Sequence, residues 1–360
     1  MRNILELTYP ELEEAVRAMG HQGFRARQLW QWLWRKGARE FSAMTNLARD
    51  FREQLAREWT LHWPEVHEVQ TSGDGTVKLL LRLTDGALVE TVLIPDRQRY
   101  TQCLSCQIGC PMGCTFCSTG LMGFSRNMTG GEIAAQVLVA RDHLRACGLA
   151  DEVKNLVYMG MGEPLTNWDE VRRSLQILSH PEGLEFSRRR ITLSTCAIKG
   201  KLGVFDAEGL ALPAISLHAP TQEIREKLMP GAARWPIDEL IETLQGLELK
   251  SRERVTIEYI LIKGVNDSLQ HARQLVRLLS HLKCKINLIA YNPGPGIEYA
   301  APEPADVLAF EELLRKKGFT VTLRKSKGQD IAAACGQLKT EALNRADTIS
   351  SKEGRIHGTT

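Results

Sequence analysis

Cys103 to Arg126 reads CLSCQIGCPMGCTFCSTGLMGFSR and carries five of the nine cysteines in the 360-residue chain. Cys110, Cys114 and Cys117 form a C-x3-C-x2-C run. Thiolates at this density in a short loop bind soft metals, so iron–sulfur and zinc are the candidates. The number of ligands matters. A structural zinc site closes with four, whereas a reactive centre keeps one position open. A [4Fe–4S] cluster on three cysteines leaves one iron free for a small chelating molecule. The bland alternative is a zinc knuckle that borrows a distant fourth ligand, and the rest of the chain has to choose between them.

The bulk composition is ordinary for a globular protein, with 43% hydrophobic and 25% charged residues. A net charge of +3 permits a nucleic-acid partner without arguing for one. The N-terminus, MRNILELTYPELEEAV, has early acids and no apolar core, so no signal peptide is expected. No run approaches the roughly 18 apolar residues of a membrane span. An odd number of cysteines clustered in one loop is unlike a secreted disulfide framework, so the expected compartment is the cytoplasm.

Residues 1–64 read as a small helical domain with a possible RNA-binding role. Apolar spacing predicts helices over Tyr9–Met19, Phe24–Trp34 and Leu47–Trp59, with Trp30 and Trp34 in the core. Arg25, Arg27, Arg35, Lys36 and Arg39 cluster around the second helix, as a solvated face or as an RNA-facing surface. Residues 65–98 switch to period two and read as three strands joined by Gly-Asp-Gly and Thr-Asp-Gly turns, a short antiparallel extension ended by Pro95.

From residue 99 to 338 strands alternate with helices, which implies βαβ crossovers and an α/β fold around a parallel sheet. Thr129-x-x-Glu132 is a capping box opening the first helix. Six units are too few to close eight strands, so the expectation is an open (β/α)6 partial barrel, with chemistry at the C-terminal strand ends. Residues 339–360 read as a flexible tail.

Four strand ends carry unusual residues: Gly160-Met161-Gly162-Glu163-Pro164, Ser194-Thr195-Cys196, Ser216-Leu217-His218 and the stretch opened by Asn292. Singly, each reads as a turn or a satisfied polar group. Together they form a rim of donors and acceptors such as a polar cofactor needs.

With Phe116 before the last cysteine, the loop has the pattern C-x3-C-x-Φ-C, which resembles the radical-SAM superfamily; the Gly-Glu-Pro turn resembles the GGEP element of its barrels. Three further segments narrow the likeness: VETVLIP at Val89–Pro95, CSTG with GFSRNM after the cysteine loop, and RKSKGQDIAAACGQL at Arg324–Leu338. Their order and spacing resemble the RlmN/Cfr class of RNA methyltransferases over essentially the whole chain.

The resemblance implies a partial radical-SAM barrel and an enzyme making 2-methyladenosine in 23S rRNA and in tRNA beside the anticodon. It implies two S-adenosyl-L-methionine molecules per turnover, an S-methylcysteine intermediate and a closing disulfide. Cys110, Cys114 and Cys117 would hold the [4Fe–4S] cluster. Gly162, Glu163, Ser194, Ser216, Leu217, His218 and Asn292 would contact S-adenosylmethionine. Cys335 would carry the methyl group, Cys103 would resolve the adduct, and Glu90 would be the acid/base residue. By chemistry alone Cys106 could resolve as well as Cys103. Cys335 in an Ala-rich segment could equally be a small core residue, but its basic, Gly-containing approach argues for a loop, and Lys325 and Lys327 beside it would favour a thiolate. Arg126, Arg324, Lys325 and Lys327 are candidate phosphate contacts. A low-potential electron donor such as flavodoxin is expected, together with a monomeric state and no membrane partner. The rival readings are carbon-8 methylation of adenine and a zinc-stabilised RNA-binding module without catalysis.

Overall fold

The computed structural model describes residues 1–97, 99–149, 153–247, 249, 253–294 and 296–340. Ten strands form one sheet: β1 (Glu65–Thr71), β2 (Val77–Arg82), β3 (Leu88–Asp96), β4 (Arg99–Leu104), β5 (Val153–Tyr158), β6 (Ile191–Thr195), β7 (Leu212–Ser216), β8 (Val255–Leu261), β9 (Cys284–Ala290) and β10 (Thr320–Arg324). Their spatial order follows the chain without exception, from β1 at one edge to β10 at the other. β4 to β10 are parallel; β1 to β4 pair antiparallel. The strands ahead of the cysteine loop are therefore the antiparallel wing of the main sheet. Pro95 does not end β3, which runs on to Asp96 and turns back into β4.

The parallel part is the mixed α/β fold expected, with one addition. β10 is a seventh parallel strand beyond the six βα units, paired with β9 from Lys285↔Thr320 to Ile289↔Arg324. It is short and lies at the edge, so its alternating TVTLR carries a weak signal. The inner strands mix apolar with polar residues, and all seven residues of β8, VTIEYIL, are buried.

The crossover helices are α4 (Gly130–Ala146), α5 (Trp168–Ser179), α6 (Leu202–Glu208), α7 (Gln222–Leu228), α8 (Ile237–Gln245), α9 (Leu269–Leu279) and α10 (Pro304–Lys316). The capping box forms as read: Glu132 N–H donates to Thr129 Oγ1, and Thr129 N–H to Glu132 Oε2. Among the described residues no helix is long and apolar enough to cross a membrane.

The N-terminal helices (Tyr9–Ala18, Phe24–Trp30 and Arg49–Glu58) pack around Trp30 and Trp34, both at most 1% exposed. After Trp30 the second helix widens into a π turn, Gln31–Arg35, which keeps Leu33 and Trp34 inward. Its basic residues mostly dock this domain on the barrel. Arg27 pairs with Glu182 at 2.6 Å, Arg39 pairs with Asp142, and Arg35 donates to the Pro181 carbonyl at 3.1 Å. Arg173 of α5 reaches back to Glu11 at 2.6 Å and to the Glu6 carbonyl. Exposed pairs of this kind contribute about 0–1 kcal/mol each, so they orient the domain more than they stabilise it.

Most of the expected tail lies outside the described residues. Its first two positions are not free: Thr340 is buried, and Lys339 N–H donates to Glu90 Oε2 at 2.8 Å.

Gly131 marks the closest approach between the N-terminal segment and α4. A Cβ there would stand 2.5 Å from the Leu5 carbonyl oxygen. Gly131→Ala should destabilise the protein by about 1–3 kcal/mol, read as a lowered urea midpoint. An unchanged midpoint would contradict this packing.

Candidate active site

The cysteine loop leaves β4 and is held open by a small ribbon, in which Gln107–Gly109 pairs antiparallel with Phe124–Asn127. Cys110 N–H donates to the Gly123 carbonyl at 2.8 Å. This requires glycine at 109, where φ is +77° and a Cβ would lie 2.0 Å from the Gly123 oxygen. The Cys110, Cys114 and Cys117 side chains line one wall of a cavity of about 140 Å³ at the C-terminal strand ends. Burial pushes the Cys110 thiol up to about 12 and the Cys117 thiol up to about 11. Bound metal would have to displace those protons. Three thiols on one wall, with polar space beside them, suit a cluster that spreads its ligands over separate irons and leaves one iron open. Among the described residues no group of three or more His, Cys, Asp or Glu side chains stands ready to close around a single ion.

The opposite rim collects most of the expected polar residues. Gly162, Glu163, Ser194, Ser216 and His218 all line this cavity. Glu163 is 2% exposed; its Oε2 accepts from Cys196 N–H at 2.7 Å, and its Oε1 from Leu165 N–H at 2.9 Å and from the Thr195 hydroxyl. Burial raises its pKa and these bonds oppose the rise. Ser194 and Ser216 hydroxyls meet at 3.2 Å. His218 has φ +54°, a strained conformation for a side-chain-bearing residue. Its Nδ1 accepts from Ile260 N–H at 3.2 Å, and burial, with Arg225 nearby, depresses its pKa to about 3. The imidazole is therefore neutral, with Nε2–H left to donate.

Leu217 and Asn292 are not among the side chains lining the cavity. Leu217 is buried, and its carbonyl accepts from Arg225 Nη1 at 2.8 Å. Asn292 is buried just beyond β9, with Oδ1 accepting from Gln329.

Several site residues escape sequence reasoning. Arg225, fully buried, donates to the carbonyls of Ser216, Leu217 and Cys196, and so fixes two strand ends at once. Hydrogen bonds to a charged group contribute about 1.5–3 kcal/mol each. In sequence it is one more basic residue on a short helix. Gln107 Oε1 takes Glu163 N–H at 2.8 Å. Cys196 lines the cavity, with its thiol beside Cys114.

Cys335 is brought to the same place from the other end of the chain. Ser118 N–H donates to the Gly336 carbonyl at 2.7 Å, and Thr119 Oγ1 to the Leu338 carbonyl at 2.6 Å. Cys335 lines the cysteine cavity and also a second one, of about 230 Å³, which contains Cys103, Met159 and Arg324. Cys106 is buried and lines neither. Cys103 stands opposite Val92 on β3 and Val157 on β5. Burial pushes its thiol up to about 12; Cys335 adds to the rise and Arg324 opposes it.

Glu90 points into a third, larger cleft of about 700 Å³. It is 4% exposed and pairs with Lys78 at 3.0 Å. Gln337 and Lys339 line the same cleft, so the segment that carries Cys335 forms part of its wall.

The candidate phosphate contacts divide. Arg126 is tied to Asp85 at 2.7 Å and to Glu132 at 2.9 and 3.0 Å. Lys327 donates to the Pro95 carbonyl at 2.8 Å. Arg324 faces the thiols. Lys325 alone of the four is an exposed residue.

With this geometry in hand, comparison with known proteins is direct. Residues 104–276 match the Radical SAM superfamily, and residues 2–61 match the Ribosomal RNA large subunit methyltransferase N-terminal domain. Proteins described as Dual-specificity RNA methyltransferase RlmN are similar along nearly their whole length. One from Nitratidesulfovibrio vulgaris (strain DP4) is 58% identical, covering 96% of this chain and 97% of its own. One from Lawsonia intracellularis is 50% identical, covering 97% and 99%. The crystal structure of a radical SAM methyltransferase from Sphaerobacter thermophilus superposes with a TM-score of 0.89 at 42% identity, covering 94% of this chain and 99% of that one. The chain belongs to the RlmN family of S-adenosylmethionine-dependent, radical-SAM RNA methyltransferases.

Proposed function

We propose that the enzyme methylates carbon 2 of adenine in 23S rRNA and in tRNA beside the anticodon, through a methyl group carried on Cys335. The observation that carries this reading is that Cys335 lines the cavity of the three cluster cysteines and also the cavity of Cys103.

The reaction needs such a cysteine. Carbon 2 of adenine is electrophilic and bears an unreactive C–H, so direct transfer of a methyl cation to it fails. A protein nucleophile must take the methyl first, and a thiolate is the best one available. When bound, the cluster and two S-adenosylmethionine molecules supply the methyl group and the hydrogen-abstracting radical. Cys110, Cys114 and Cys117 would hold the cluster. Gly162, Glu163, Ser194, Ser216 and His218 would hold the methionine and nucleoside parts; Leu217 and Asn292 would support that rim.

This chain's residues do the remaining work. Cys335 accepts the methyl group and, once activated, presents its carbon to the ring. Glu90, at the head of the large cleft with Lys78 beside it, takes the ring proton. The RNA is then covalently bound to Cys335. Cys103 attacks the Cys335 sulfur and releases the product, leaving a Cys103–Cys335 disulfide. A target base in a loop or an unwound stretch is extruded into the cleft at least cost. A flavodoxin-class electron donor, a monomeric state and a cytoplasmic location complete the proposal, with residues 1–64 as a domain that helps to seat the RNA.

Two outcomes test it. Cys103→Ala should accumulate a covalent protein–RNA species on a denaturing gel, and Cys335→Ala should not. Product from Cys103→Ala without any adduct would sink the assignment. Glu163→Gln should weaken S-adenosylmethionine binding to the cluster-loaded protein by roughly ten- to a hundred-fold, the loss of one charge-assisted hydrogen bond. Unchanged affinity in equilibrium dialysis would remove Glu163 from the cofactor site.

A further inference from the structure

Arg324 ends β10, the strand that the pattern of the sequence did not reveal. Its guanidinium faces inward, onto the cavity shared by Cys103, Cys335 and Met159. Nη1 donates to Met159 Sδ at 3.5 Å, a weak acceptor for a strong cation. Glu258, on β8 and 3% exposed, lines the neighbouring cysteine cavity together with Cys335. One Glu258 oxygen accepts from Asn287 Nδ2 at 3.0 Å, and the other has no hydrogen-bond partner. The ionisable groups that would stabilise the charged guanidinium are Cys335, Glu258 and Cys103. A guanidinium stays charged at every relevant pH. A fixed cation thus shares a cavity of about 230 Å³ with two thiols.

That placement meets a difficulty at Cys103. The thiol is 7% exposed, and burial disfavours its ionisation. Thiol–disulfide chemistry proceeds only through the thiolate. A buried thiol without a cation would rest in its inactive form.

We infer that Arg324 is the positioning residue of the resolving step, the cation that holds the negative charge on Cys103 while it attacks Cys335. This rests on the reading in which Cys335 carries the carbon and Cys103 releases it. Cys103 first gives up its proton to solvent. The Cys103 sulfur then bonds to the Cys335 sulfur as the bond from that sulfur to the RNA-linked methylene carbon breaks. The electron pair of the broken bond passes to that carbon, which takes up a proton and becomes the methyl group. The two sulfurs end oxidised by two electrons, as a disulfide.

The test separates the steps. Cluster-loaded enzyme is methylated on Cys335, which is confirmed by intact mass, and then given RNA for one turnover while the adduct is followed on denaturing gels. Arg324→Met should keep its iron and its Cys335 methyl group, form the adduct, and resolve it about ten-fold or more slowly than wild type. Arg324→Lys should recover most of the rate, because a cation returns. Cys103→Ala should form the adduct and hold it. Wild-type resolution in Arg324→Met, or no rescue by lysine, overturns the role of Arg324 alone. Absence of any adduct in Cys103→Ala overturns the underlying reading and this inference with it. Loss of iron or of Cys335 methylation in both Arg324→Met and a parallel Arg324→Gln variant assigns the residue to building the site and also overturns the inference.

Discussion

Two hydrogen bonds hold this active site together: Ser118 N–H to the Gly336 carbonyl, and Thr119 Oγ1 to the Leu338 carbonyl. The second joins positions 219 residues apart in the chain. Ser118 follows Cys117 directly, and Gly336 follows Cys335, so the bonds set the Cys335 segment against the cysteine loop. Each contributes only about 1 kcal/mol net. Their weight lies in geometry: without them Cys335 would not line two cavities at once. A third tie, Lys339 N–H to Glu90, fixes the same segment to β3 beside the large cleft.

The sheet makes those ties possible. A strictly sequential order of parallel strands collects every strand end on one rim, and the antiparallel wing puts Glu90 and Cys103 on adjacent strands at that rim. Buried charge is then tolerable only where it is paired. Glu163 has three donors, Arg225 has three carbonyls, and Glu90 has Lys78. These contacts hold the polar groups of the strand-end rim in place.

Much of this was legible in the chain, because the decisive groups are local in sequence. The three cysteines, the Gly-Glu-Pro turn and the capping box each read directly, since their meaning depends on spacing within a few residues. What was hidden depends on long-range packing. β10 is an edge strand of five residues. Arg225 looks like a surface helix residue until three carbonyls are seen to converge on it. Arg27, Arg35 and Arg39 resemble a nucleic-acid face, but they are used on the barrel because Glu182, Asp142 and the Pro181 carbonyl come within reach only after folding. The choice between Cys103 and Cys106 was open for the same reason. Of two buried thiols three residues apart only Cys103 lines a cavity with Cys335, and that depends on how the sheet sets β4 against its neighbours.

The central claim is that the carbon delivered to RNA comes from Cys335. It can be tested by methylating the protein with a trideuteromethyl donor, removing that donor, and supplying unlabelled S-adenosylmethionine and RNA for a single turnover. Mass analysis of the digested RNA should then find 2-methyladenosine bearing two deuteriums and one solvent-derived hydrogen on its methyl group. A first-turnover product whose methyl group carries no deuterium would contradict the account.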